Sequence, residues 1–124
     1  MKFLVVDDSP TMRRIVINAL KSFGIEDIVE AEDGQDALTK LQQHKIDFVI
    51  TDWNMPNMSG LDLTKALRAS EQWKNVPILM VTTRGMKEDI LQALQARVNN
   101  YVVKPFTPQV LKEKILAILK TNEK

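Results

Sequence analysis

The chain has 124 residues, enough for one domain with a sizeable core, and its 44% hydrophobic and 27% charged side chains exclude disordered and fibrous classes. Seventeen basic residues against sixteen acidic ones leave a net charge of +1, which is no electrostatic footprint for nucleic acid or an anionic membrane. The absence of cysteine excludes disulfides, thiolate nucleophiles and zinc–thiolate sites. The opening MKFLVV is interrupted by DDSP too early for a signal peptide, and no apolar run approaches the ~20 residues that a membrane-spanning helix needs. A soluble, cytoplasmic, single-domain protein over residues 1–124 is the expectation.

Phe3 to Val6 (FLVV) is an unbroken apolar run, as a strand covered on both faces would be. Ser9 then offers an N-cap and Pro10 a first helical residue, and Met12, Ile15, Val16, Ala19, Leu20 and Phe23 follow at helical spacing, with Gly24 as the stop. A short strand at Asp27 to Ala31 precedes a helix over Gln35 to Gln43, with Ala37, Leu38 and Leu41 inward. His44, the one histidine, reads as a solvated helix-end residue, because a triad or a multi-histidine metal site would need more around it. The third strand is DFVITD, and its helix runs from near Ser59 to Arg68. Pro77 to Thr82 is the fourth strand, and a helix over Lys87 to Ala96 carries Met86, Ile90, Ala93 and Leu94 on one stripe. Tyr101 to Lys104 is the fifth strand, after which Thr107 and Pro108 open a helix with Leu111, Ile115, Ile118 and Leu119 inward. Five alternations of strand and helix predict a doubly wound (βα)5 α/β fold, a parallel sheet with helices on both faces.

In open α/β sheets, ligands bind beyond the carboxyl ends of the strands, where the strand order reverses. Those ends carry Asp7 and Asp8, Asp52, Thr82 and Lys104, while the second strand ends without such a group. A flavodoxin-like order of 2-1-3-4-5 puts the reversal between strands one and three and sets three carboxylates side by side. A divalent cation and one lysine would balance their charge, and oxygen ligands suit magnesium or manganese. Asp52 is then a carboxylate near a metal, a nucleophile suited to phosphoryl transfer. Once phosphorylated it would need new donors, for which the Thr82 hydroxyl and the amides of the Trp53–Pro56 loop are placed. Each residue alone has a plainer reading: a cap acid for Asp7 and Asp8, a turn residue for Asp52, a strand-end threonine, a surface lysine. Convergence on one edge carries the inference.

The segments VVDDS, ITDWNMPNMSG, MVTT and YVVKPF resemble the signatures of response-regulator receiver domains, over essentially the whole chain, and most closely those of the single-domain chemotaxis regulators. The resemblance implies that Asp52 accepts a phosphoryl group from a histidine kinase and that Asp7 and Asp8, Asp8 more directly, hold Mg2+ with Asp52 and the Asn54 backbone carbonyl. It implies that Thr82 and Lys104 are the switch hydroxyl and the phosphate-pairing lysine. Tyr101 would be a switch aromatic that turns inward as Thr82 moves toward the phosphate, and the Lys104–Pro105 bond matches one often cis in the family. Arg84 stands where related chains often have an acidic or small residue, near the phosphoryl entry path. Arg97 and Val98 replace a usual Gly-Ala, so a left-handed cap after helix four would cost about 1 kcal/mol more.

Helix four, strand five and helix five form the output face in this family, here including Lys87, Gln92, Tyr101, Lys112 and Glu113. With the chain ending soon after helix five, no output domain is expected and the signal would pass to a partner by direct contact. The expected partners are a histidine kinase, a flagellar motor switch protein and a phosphatase, the protein itself being a monomer and no enzyme beyond its own phosphorylation and dephosphorylation. Three alternatives remain. A phosphate sink or relay intermediate would share every one of these residues. An aspartate-nucleophile phosphohydrolase would need a general acid and a lid, for which there is no DxD pattern or cap segment. A flavodoxin-like nucleotide binder would want glycines where DDSP presents acids.

Overall fold

In the computed structural model, which describes residues 1–122, strands and helices alternate as β1 (Phe3–Val6), α1 (Pro10–Ser22), β2 (Ile28–Ala31), α2 (Gly34–Gln43), β3 (Phe48–Thr51), α3 (Gly60–Arg68), β4 (Ile78–Thr82), α4 (Lys87–Gln95), β5 (Asn100–Val103) and α5 (Pro108–Asn122). The strands pair in parallel in the order β2-β1-β3-β4-β5, so the reversal falls between β1 and β3 as expected. The three inner strands are buried at every position, which is why they read as continuous apolar runs. Alternate side chains feed two cores. Leu4, Val6, Val49, Ile78, Met80 and Tyr101 pack with α2, α3 and α4, while Phe3, Val5, Phe48, Ile50, Leu79, Val81 and Val102 pack with α1 and α5. Phe3 and Phe48 stack with ring centroids 4.8 Å apart and tie β1 to β3. Among the described residues, no helix is long and apolar enough to cross a membrane.

The helix ends follow the local chemistry. Ser9 Oγ accepts the Met12 N–H at 3.2 Å, and Thr107 Oγ1 accepts the Val110 N–H at 3.2 Å. At the end of α1, Gly24 takes φ +89°, and the N–H groups of Gly24 and Ile25 reach the carbonyls of Lys21 and Leu20, both at 3.0 Å. His44 caps α2, half-buried, as a helix-end residue. The Lys104–Pro105 peptide is cis.

The apolar stripes of two helices are not fully covered. Ile15 is exposed and Ile17 packs against the α1–α5 core instead. The two lie on opposite rims of the apolar stripe, and only the Ile17 rim is covered. On α4, Ala93 is the one fully buried residue, Ile90 is partly covered, and Met86 and Leu94 are exposed. The sheet ends at β5, so α4 has little to rest on beyond one strip, and Val103 of that strand is itself exposed.

The end of α4 repeats the α1 motif without a glycine. Arg97 takes φ +76°, its N–H reaching Leu94 O at 2.9 Å and the Val98 N–H reaching Ala93 O at 3.3 Å. The buried Val98 side chain holds the turn down, and the Arg68 guanidinium gathers the carbonyls of Arg97, Lys74 and Val76 at 2.8–3.1 Å. Burial and then the charge of Arg97 push the Arg68 guanidinium below its usual range. Arg97→Gly is expected to raise unfolding stability by about 1 kcal/mol, by relieving left-handed strain that a side chain feels and glycine does not. Urea unfolding measures it, and a fall would show that the 3.4 Å contact from Arg97 to the Arg68 carbonyl outweighs the strain.

Candidate functional site

Register builds the site before any side chain acts. Val6 pairs with Thr51, and the hydrogen-bond ladder runs one residue further, with the Asp7 N–H on Ala31 O at 3.1 Å and the Asp52 N–H on Val6 O at 3.0 Å. Lys104 extends β5 in the same way, its N–H on Thr82 O at 2.8 Å. Neighbouring strands lie about 4.8 Å apart, so the two carboxylates arrive at one rim.

There Lys104 Nζ sits 3.1 Å from Asp7 Oδ2 and 3.2 Å from Asp52 Oδ2, its side chain only 8% exposed. The second oxygens are held by backbone, Asp7 Oδ1 by the Ser9 N–H at 2.9 Å and Asp52 Oδ1 by the Trp53 N–H at 2.6 Å. Asp8 is exposed, yet one carboxylate oxygen from each of Asp7, Asp8 and Asp52 lies within 4.8 Å of the others. Burial pushes the Asp7 carboxyl above the usual carboxylate range, and the charge of Asp52 adds to this, against the opposing pull of the Ser9 amide and Lys104. The folded state therefore holds that proton to higher pH than the unfolded chain does, and folding stability falls as pH rises through that interval. One ammonium does not balance the cluster. A set of hard carboxylate oxygens with residual negative charge fits Mg2+.

The loop after Asp52 is braced from several sides. A Cβ on Gly60 would come within 1.8 Å of the Asp52 carbonyl oxygen, so only glycine lets α3 start there. The Thr51 hydroxyl donates to that oxygen at 2.9 Å, and the Gly60 N–H donates to Trp53 O at 2.8 Å. Asn57, at φ +66°, donates from Nδ2 to Asp33 Oδ2 at 2.7 Å, and the Gly34 N–H donates to Met58 O at 3.1 Å. The Asp36 N–H, and then Asn57, hold the Asp33 carboxyl below its usual range. Asp33, two residues past β2, joins this brace and not the acidic cluster. Asp33 is readable as an N-cap, but its partner Asn57 lies 24 residues on, beyond any local signal.

Thr82 is fully buried, and its Oγ1 accepts the Arg84 N–H at 3.4 Å. Tyr101 is 8% exposed and donates its hydroxyl to the Arg84 carbonyl at 2.5 Å, so the ring occupies the inward position. Burial first, then the charges of Asp89 and Asp52, push the phenol up to about 12, which keeps it a donor. The Arg84 side chain lies 4.5 Å over the Trp53 ring, reaches Asn54 Oδ1 at 3.1 and 3.2 Å, and pairs with Asp89 at 3.1 Å.

The expected output residues are spread over α4, β5 and α5. Lys87 opens α4 and is exposed. Gln92 turns to the other side of α4, lining a groove with Lys65, Arg68 and Arg97. Lys112 lies 5.9 Å over the Phe23 ring, on the α1 side of α5, and Glu113 accepts from Gln109 at 3.2 Å. A helix turns by about 100° per residue, so membership of an element does not choose a face.

Residues 3–116 match the response regulator receiver domain family. The chain is 56% identical over 124 residues to the chemotaxis protein CheY1 of Helicobacter pylori strain J99, covering 99% of this chain and all of that one. The structure is similar to the chemotaxis response regulator CheY4 of Vibrio cholerae, with 38% identity and a TM-score of 0.86 over 94% of this chain and 97% of that one. It also resembles the receiver domain of the Pseudomonas aeruginosa sensor histidine kinase PA1611, determined with a magnesium ion coordinated in the active-site cleft, at 27% identity and a TM-score of 0.86 over 96% and 97% of the two chains. With the parallel 2-1-3-4-5 sheet and an acidic rim paired to a strand-end lysine, these matches make the chain a member of the response regulator receiver domain family, similar over its whole length to chemotaxis proteins of the CheY type.

Proposed function

We propose that this protein is a phosphorylation-activated switch of a chemotaxis pathway, in which Asp52 accepts a phosphoryl group from the phosphohistidine of a kinase. The observation that carries the reading is the placement of Asp52 beside a buried ammonium, with a second and a third carboxylate within 4.8 Å. In the transfer, an Asp52 carboxylate oxygen forms the new P–O bond as the P–N bond to histidine breaks, and the histidine nitrogen takes a proton. The backbone holds Asp52 so that attack needs no loop rearrangement. Lys104 meets the charge that builds on the transferring oxygens.

Asp7, Asp8 and Asp52, with the Asn54 carbonyl, would hold Mg2+, which when bound neutralises phosphoryl charge. Thr82 and Tyr101 form the switch. Both contact Arg84, so a shift of the Thr82 hydroxyl toward a phosphoryl oxygen is felt at the Tyr101 ring through one residue. Coupling of about 1–3 kcal/mol suffices to change partner affinity five- to 150-fold. The partner is a segment of a flagellar motor switch protein, bound on the exposed edge formed by Lys87, Leu94 and Val103 around Tyr101. The protein acts in the cytoplasm as a monomer, performs no turnover on a separate substrate, and a phosphatase shortens the signal.

Incubation with acetyl phosphate and Mg2+ is expected to add the mass of one phosphoryl group to the wild type and nothing to Asp52→Asn. The phosphorylated form should bind motor-switch segments at least about fivefold more tightly. Tyr101→Ala should be phosphorylated normally and lose that gain, whereas loss of phosphorylation would assign Tyr101 to the chemistry. Unchanged affinity on phosphorylation of the wild type would favour a phosphate sink.

The raised Asp7 carboxyl leads to a separate expectation. In chelator at neutral pH, Asp7→Asn should unfold at a higher temperature than the wild type. Mg2+ at tenfold its Kd should stabilise the wild type by about 1.4 kcal/mol and leave the variant unmoved. Equal stabilisation of both would place the ion elsewhere.

A further inference from the structure

Arg84 is bound at both backbone and side chain to the groups that surround Asp52. Its N–H and carbonyl engage Thr82 and Tyr101, and its guanidinium lies across Trp53 and Asn54, the two residues that follow the acceptor. The remaining contact points away from the acceptor, to Asp89 in the first turn of α4. That ion pair is partly exposed, and Asn54 offers only a neutral oxygen, so both hold the guanidinium weakly. Lys104 is already shared between Asp7 and Asp52. A phosphoryl group on Asp52 would replace one carboxylate charge with nearly two, a net gain of roughly one negative charge, and bring three acceptor oxygens to a rim with a single ammonium. A planar guanidinium fork is the cation best matched to phosphoryl oxygens, and the Trp53 face lets it slide while staying covered.

We infer that Arg84 is a phosphoryl-binding residue held in reserve by Asp89: phosphorylation of Asp52 draws the guanidinium from the Asp89 carboxylate to the phosphoryl oxygens. The inference rests on Asp52 being the phosphoacceptor. Phosphoryl and Asp89 compete for one cation, so each weakens the other's hold. Release of Asp89 unhooks the first turn of α4, a helix with only one fully buried residue, Ala93. Asp89 stays favourable there, as an acid at a helix N-terminus. The side chain of Arg84 thus acts on α4, alongside the Thr82–Tyr101 path that runs through its backbone.

Beryllofluoride with Mg2+ serves as the probe, in a Trp73→Phe background so that emission reports Trp53 alone. The wild type is expected to change emission as the guanidinium moves on the Trp53 ring. Asp89→Asn should tighten beryllofluoride binding about two- to fivefold, the span of a partly exposed ion pair. Arg84→Gln should weaken it at least about tenfold, and Arg84→Lys should recover part of the loss. In the Arg84→Gln background, Asp89→Asn should have no further effect. An equal effect of Asp89→Asn in both backgrounds, or none in either, would overturn the competition. With binding itself read by fluorine NMR, a wild type that takes up no beryllofluoride with Mg2+ would overturn the phosphoacceptor reading, whereas uptake with no change in Trp53 emission would overturn the movement of Arg84.

Discussion

The pairing of Lys104 with Asp7 and Asp52 is the contact on which the rest of this molecule depends. It joins the end of an edge strand to the ends of two inner ones, across 97 residues of sequence in the case of Asp7. It also leaves the charge unbalanced, because one ammonium faces two carboxylates with a third nearby. Packed strands alone would favour apolar groups at this rim. The sheet instead delivers carboxylates there, and burial raises the Asp7 carboxyl, so that folding stability falls as pH rises through its titration. A bound cation and a transferred phosphoryl group both act on that imbalance, one by removing charge and one by adding it.

Around that contact the molecule divides into a stiff part and a loosely held one. The acceptor loop is stiff: Gly60 brings α3 onto the Asp52 carbonyl, and Asp33 and Gly34 clamp the loop from the β2 side. The edge formed by α4 and β5 is held by little apolar surface, and its helix ends on a left-handed arginine. A response to a local charge will appear where displacement costs least, and that is this edge. Tyr101 and Arg84 stand at the border between the two, bonded to each other and touching both.

Family membership and geometry bear on different matters. The likeness to chemotaxis proteins covers the whole chain, and the geometry shows how the side chains around the acceptor meet. Arg84 over Trp53 places a second cation next to the rim that Lys104 serves, and Arg97 lays strain on the last turn of the responding helix. Gln92 is exposed in a groove shared with α3 residues, and Lys112 is exposed with its ammonium over the Phe23 ring. Leu94 on α4 and Val103 on β5 add exposed apolar surface to those elements.

The fold and the principal site residues were legible in the sequence because their signals are local. Continuous apolar runs, a serine cap before Pro10 and a glycine after α1 mark elements by short-range physics, and the strand ends then follow in order. Asp52, Asp7, Asp8, Thr82 and Lys104 could be named because each stands next to such a run. Tertiary structure decided the rest. Whether Ile15 or Ile17 is covered depends on which rim of α1 meets a neighbour, and Met86 and Leu94 lie bare because the sheet ends at β5. The bonds from Asp33 to Asn57 and from Arg84 to Asn54 join loops 24 and 30 residues apart. Sequence by itself determined what each segment forms and which chemistry stands at its end. Only packing decided which of those groups touch, because contact across a sheet is set by strand order and register, and neither is written within a single segment.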